Sequence, residues 1–207
     1  MATRTLTRIG MTLLIVTLCG FMTQTAHAGI SDSHIRTELS IGKGTHSGSF
    51  NRNDDMMATL SLEWAFPVAP RVELGLRGIA MYYDADMQDD IESLGQALDS
   101  FLDDFDLNTD YGDDNVLGLG IGIAARFYVK KEAYNGLFFE ITGHGIAHEG
   151  HIPGNSSNIN FYTTGGIGYQ FKNNMHLIAK YGHISNAGLG NSNSGSNQFS
   201  MGFGYSF

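Results

Sequence analysis

Apolar and polar residues alternate in short runs along most of this chain. Side chains two apart on an extended strand share a face, so each run predicts a strand with one greasy side. Eight can be read. In the first, over 35–41, Ile35, Leu39 and Ile41 oppose Arg36 and Glu38. The second, 58–66, sets Leu60, Leu62, Trp64 and Phe66 against Thr59, Ser61 and Glu63. The third begins at Arg71, with Val72, Leu74, Leu76 and Ala80 opposite Glu73 and Arg77. The fourth, 116–129, sets Leu117, Leu119, Ile121, Ile123 and Phe127 against glycines and Arg126. The others cover about 137–147, 159–171, 175–185 and 197–207.

The faces opposite the greasy ones decide the environment. They carry Arg36, Glu38, Glu63, Glu73, Arg77, Arg126, Glu140 and Lys180, with bases and acids in equal number. Such a set fits an enclosed interior where every charge is paired, with lipid on the other side. Links after strands two, four and six are short: 67–70, 130–136 and 172–174. Those after strands one, three, five and seven are long: about 42–57, 83–115, 148–158 and 186–196. Short periplasmic turns alternating with long external loops describe an outer-membrane barrel with both termini on the periplasmic side. A soluble β-sandwich or lipocalin-like barrel does not require that alternation. The expected class is therefore all-β, an eight-stranded antiparallel transmembrane β-barrel. At this strand number side chains fill the interior, so no wide pore is expected.

The N-terminus fits export. Arg4 and Arg8 precede an apolar run over 11–21, followed by Ala26-His27-Ala28. A basic start, a short greasy middle and a small-x-small end describe a secretory signal peptide. Cleavage is expected after Ala28, leaving 29–207 as one barrel domain. Leu18 argues against a lipid anchor on Cys19, where a small residue is wanted. With Cys19 gone the mature chain has no thiol, hence no disulfide and no cysteine nucleophile. Losing Arg4 and Arg8 also leaves 21 acids against two fewer than the chain's 12 bases. An excess of acid on that scale excludes nucleic acid as a partner, because phosphate binding needs a basic face.

Candidate chemistry gathers at the end of strand seven. The segment reads Tyr181-Gly-His183-Ile-Ser185-Asn186-Ala187-Gly188, then Asn191-Ser-Asn193-Ser-Gly195. His183 and Ser185 share a face, as a base and its nucleophile must. That face also holds Leu177, Ala179 and Tyr181, and Asn197 shares the apolar face of the adjoining last strand. All three polar groups would then sit on the outer wall near the external rim. That placement suits an enzyme whose substrate is itself a lipid of the outer leaflet. A His-x-Ser pair alone is common and otherwise reads as a polar strand end.

The full pattern is more specific. His-x-Ser-Asn-Ala-Gly, then Asn-x-Gly, then a short terminal strand resembles the catalytic motif of the PagL-type lipid A 3-O-deacylases, from His183 to Gly195. That resemblance implies Ser185 as nucleophile and His183 as general base. It makes Asn186, Gly188 and Asn193 candidates for oxyanion stabilisation or site support. The implied reaction is hydrolysis of the 3-O-linked acyl chain of lipid A in lipopolysaccharide, through an acyl-enzyme and without a cofactor. One position departs. The family has Glu two residues after the Gly of Asn-x-Gly, where this chain has Asn197. An Asn can hold a neutral imidazole in the right tautomer but cannot offset an imidazolium charge, which implies reduced activity. A remote acid such as Glu149 or Asp54 is the alternative orienting group.

Two features stand apart from the motif. From Asp84 to Asp114 the second long link holds twelve acids and no Lys or Arg. Ile91, Leu94, Leu98, Phe101, Leu102 and Phe105 recur there at helical spacing, so a short amphipathic helix is expected over the barrel mouth. His144, His148 and His151 are close in sequence, but one is expected in the interior and two in a loop, so no metal site is assigned. The competing functional reading is a non-catalytic structural or adhesive barrel that works through the acidic loop. An acyltransferase barrel is a third reading. The expected partners are lipopolysaccharide and the outer membrane, and the sequence leaves a homodimer open.

Overall fold

The computed structural model describes residues 33–45, 52–53, 55–84, 115–130, 134–152, 155–191 and 193–207. The expected leader over 1–28, the helix expected in the acidic link and Asp54 lie outside the described residues. Eight strands run in chain order: β1 (His34–Thr45), β2 (Met56–Ala69), β3 (Val72–Asp84), β4 (Asn115–Tyr128), β5 (Gly136–His148), β6 (Ile159–Gln170), β7 (Met175–Ser185) and β8 (Ser196–Ser206). Each pairs antiparallel with the next, and β8 pairs with β1 to close the barrel. Closure leaves no sheet edge, which a membrane-spanning sheet requires.

The alternation seen in the sequence sets the phase of every strand. Leu119, Ile121 and Ile123 on β4, and Leu177 and Tyr181 on β7, stand exposed on the outer wall. So do Phe199, Met201 and Phe203 on β8. The opposite faces are buried. Arg36, Glu38, Glu63, Glu73, Arg77, Arg126, Glu140 and Lys180 all point into the lumen, as expected. Every acid among them meets a cation. Glu140 takes a bidentate pair from Arg77 at 3.1 and 2.8 Å and a contact from Arg126 at 2.6 Å. Glu63 pairs with Arg36 and Arg77. Glu73 accepts from Arg36 at 2.7 Å and from the Tyr128 hydroxyl at 2.9 Å. Glu38 pairs with Lys180 and accepts from His176 at 2.9 Å.

Above this belt the lumen turns apolar. Met57, Ile79, Met81, Tyr83, Val116, Ile146, Ile152, Tyr162 and Ile184 form one buried cluster towards the external end. The lumen thus holds a charged layer below and, above it, an apolar cluster interspersed with buried polar side chains such as His148, Asn160 and Gln198.

Several strand ends differ from the sequence reading, β2 among them, which takes in Pro67–Ala69 of the expected 67–70 link; two bear on the site. The first strand runs four residues past Ile41, with Gly42–Thr45 pairing to Ser200–Asn197 of β8. Two glycines in those four residues mask the alternation. A Cβ on Gly42 would lie 2.7 Å from that of Ser200, so the position needs glycine for close approach. His148, expected in a loop, instead ends β5 and is buried. No group of three or more metal-ligating side chains occurs among the described residues.

Candidate active site

Strand β7 fixes the direction of the candidate residues through its inward neighbours. Gly182 and Ile184 face the lumen, and Ile184 is fully buried in the apolar layer. His183 and Ser185 therefore project outward, with His183 exposed and Ser185 half-buried. The register extends this into rows across the wall. Thr163 of β6, His183 of β7, Asn197 of β8 and Thr45 of β1 stand side by side at one level. Four outward polar residues on four successive strands interrupt a largely greasy wall. Below them runs a row of Gly165, Tyr181, Phe199 and Lys43. Above them Ser185 stands beside Phe161.

Within the upper row, His183 Nδ1 and Asn197 Oδ1 lie 2.7 Å apart. A carbonyl oxygen only accepts, so Nδ1 carries the proton and Nε2 is left as the lone-pair nitrogen. That is the tautomer a general base needs. The Ser185 hydroxyl makes no hydrogen bond among the described residues. The Ser185 Cα lies about 6.6 Å along the strand from that of His183, and hydrogen bonds of this kind often tighten only when substrate arrives.

Gly195 seats the imidazole from the other side. Its φ is +61°, and a Cβ there would come within 2.9 Å of His183 Cε1. Both features call for glycine, which gives a physical reason for the Gly of the Asn-x-Gly pattern.

The loop after β7 is held by its own side chains. Asn186 is fully buried, and its Oδ1 accepts from the Gly188 amide at 2.9 Å. Asn193 Oδ1 accepts from the Asn186 amide at 3.1 Å. Ala187 and Gly188 both take positive φ, 53° and 81°, to make this tight turn. Of the three expected oxyanion candidates, the Asn186 and Gly188 amides are thus already engaged within the turn. Asn193, with Oδ1 committed and its side chain exposed, can still offer its Nδ2 protons. Glu149 is exposed at the start of the β5–β6 link and has no ion pair with His183 among the described residues, and the His183 Nδ1 is already taken by Asn197.

Two neighbouring loops brace this one, and the sequence reading missed both. Asn155, buried in the β5–β6 link, pairs with Asn193 in an isolated bridge and accepts the Gly195 amide on Oδ1 at 3.2 Å. Asn155 in turn donates to Asn160 at 3.2 Å, and Asn160 meets His148 Nε2. From the β1–β2 link, buried Arg52 donates to Ser194 Oγ at 2.8 Å and to Asp55 at 3.1 Å. Tyr83 joins them through Asp55 and reaches Ser196 Oγ at 2.9 Å. These partners are far apart in sequence, so no local pattern announces them. An Asn-x-Gly segment that needs buried polar support was the only hint.

The sequence model of the family described as lipid A 3-O-deacylase (PagL) matches residues 77–206, more than half of the chain. The chain belongs to the PagL family. Its closed barrel resembles the crystal structure of the outer membrane enzyme PagL, with a TM-score of 0.55 at 16% identity. That match covers 82% of this chain and 98% of the other. Neisserial surface protein A gives a TM-score of 0.46 at 12% identity, covering 84% of this chain and 97% of its own. The outer membrane protein OprG from Pseudomonas aeruginosa gives 0.41 at 12% identity, covering 85% and 95%. Comparison with curated proteins finds no match. A PagL-family barrel resides in the Gram-negative outer membrane, so the greasy wall carrying His183 faces lipid.

Proposed function

We propose that this PagL-family barrel, after losing a leader over 1–28, is a serine esterase that removes the 3-O-linked acyl chain of lipid A. The observation that carries the reading is the row holding His183 and Asn197 on the lipid-facing wall, with Ser185 one step above it. Substrate in the outer leaflet reaches that row by lateral diffusion. Nothing has to enter the filled lumen.

The chemistry follows from the protonation pattern. Asn197 Oδ1 accepts from Nδ1–H, so Nε2 takes the Ser185 Oγ proton as Oγ attacks the ester carbonyl. The carbonyl oxygen becomes an oxyanion, for which Asn193 Nδ2 is the donor left over by the turn. Collapse breaks the bond to the sugar oxygen, which leaves as a hydroxyl with the proton from Nε2. Water then attacks the acyl-enzyme with His183 again as base, releasing the hydroxy fatty acid and restoring Ser185. Asn197 orients the ring without a compensating negative charge, so turnover is expected below that of a carboxylate-bearing site. The scheme uses residues of one barrel and asks nothing of a second copy.

Expression in a Gram-negative host, followed by mass spectrometry of isolated lipid A, tests the reading. Wild type should give lipid A lighter by one 3-hydroxyacyl chain, and Ser185→Ala should leave it intact. Unchanged lipid A with folded wild-type barrel would leave a structural or adhesive barrel instead. A mass gain would mean acyl transfer.

A further inference from the structure

The charge map of the barrel isolates one lysine. Arg36, Arg77, Arg126 and Lys180 are buried in the lumen network. Arg71, Lys130 and Lys172 are exposed at the periplasmic turns, and Arg52 is buried among Asp55, Tyr83 and Ser194. Among the described residues this leaves Lys43 as the sole exposed cation on the external half of the wall. It projects outward from β1, in phase with Leu39 and Ile41. Its row neighbours are Met56 on β2 and Phe199 on β8, both apolar. No carboxylate pairs with it among the described residues.

A lone ammonium between lipid-facing apolar side chains is unfavourable unless it reaches the interface. Lysine does so by extending its stem toward the head groups. From β1 that movement carries the ammonium up to the level of Thr45, which stands beside Asn197 in the same row as His183. Two strand spacings separate β1 from β7, about 10 Å. Lipid A offers a phosphorylated glucosamine backbone, with esters and phosphates on the same pair of sugars. A sugar whose 3-ester lies at Ser185 can thus direct a phosphate toward β1.

We propose that Lys43 binds a phosphate of the substrate's sugar backbone and so sets its orientation while His183 and Ser185 act on the ester. This rests on the esterase reading above and adds the anionic group that selects the substrate. The four residues Gly42–Thr45 that extend β1 beyond the expected strand are what bring this cation beside the site. A phosphate belonging to a neighbouring membrane lipid has the same chemistry, so the test must separate the two sources.

The measurement is kcat/KM for 3-O-acylated lipid A and for the same lipid after phosphatase treatment, both in phosphate-free non-ionic detergent. The wild-type ratio of phosphorylated to dephosphorylated substrate should exceed one. Lys43→Gln should lower that ratio by about 10-fold, as expected for loss of one charge-assisted hydrogen bond. Lys43→Arg should keep it. Heat-modified mobility on gels confirms that each barrel is folded. If Lys43→Gln lowers both values equally, the lysine serves the membrane or the fold and the proposal is overturned. If it lowers neither, the proposal is likewise overturned. If folded wild type hydrolyses neither substrate, the esterase reading itself has failed.

Discussion

The lumen and the outer wall of this barrel both place polar side chains in apolar surroundings, and they do so to opposite ends. Inside, four acids and four bases pair with one another. Glu140 and Glu63 each hold two guanidiniums. Outside, the His183 ring has one hydrogen-bond partner, Asn197, and the Ser185 hydroxyl makes no hydrogen bond among the described residues. In such a buried network, removing one member strands a charge. A sparse outward group has contacts to spare for a substrate. Polar residues on the lipid face are costly there, so their presence calls for a functional explanation.

That contrast can be broken most sharply at Ser185. Ser185→Ala should cut deacylation by about 10⁴-fold or more, because a triad member removed alone costs most of the catalysis. Its unfolding midpoint should match wild type, since the hydroxyl makes no bond that the fold uses. A clear fall in stability would place Ser185 in the architecture instead. The lumen should show the reverse. Glu140→Ala leaves Arg77 and Arg126 without their shared carboxylate and should cost roughly 3–5 kcal/mol. Urea unfolding followed by the fluorescence of Trp64, the chain's single tryptophan, reads that loss. Its residual activity should track the folded fraction. Activity lost ahead of folding would tie the lumen directly to the chemistry.

Smaller effects sharpen the picture of the imidazole. Gly195→Ala puts a Cβ 2.9 Å from His183 Cε1 at a positive φ. Displacing the base should lower kcat by about 100-fold, with a smaller change in KM. Equal loss in both would indicate collapse of the loop rather than displacement of the ring. Asn197→Ala should reduce kcat by about 10-fold or more through loss of tautomer control. Full activity in that variant would remove Asn197 as the orienting group. Asn197→Glu restores the residue usual in the family and should raise kcat severalfold. A fall would mean that the site is built around the neutral amide.

The parts of this molecule legible in its sequence are those governed by a period of two. Inward Arg77 and outward Leu76 could be told apart because each strand alternates, and β6, β7 and β8 lie within a residue of where the pattern puts them. The outward direction of His183 followed from the same count. The end of β1 was hidden, because Gly42 and Gly44 supply no side chain to the alternation. Support of the site was hidden more deeply. Asn155 and Arg52 reach Gly195 and Ser194 from loops that are distant in the chain, and barrel closure alone brings them together. The motif named Asn186 and Gly188 as oxyanion candidates but not that their amides hold the turn.

The proposed chemistry requires a nucleophile on the lipid-facing wall, activated by His183. An alkyl phosphonate carried in detergent micelles reports on it directly, since it modifies a serine only when a neighbouring base activates the hydroxyl. Peptide mass spectrometry should find one adduct, on Ser185, and none when His183 is replaced by Ala. An active, folded preparation with Ser185 unmodified, or modified equally without His183, would contradict the account.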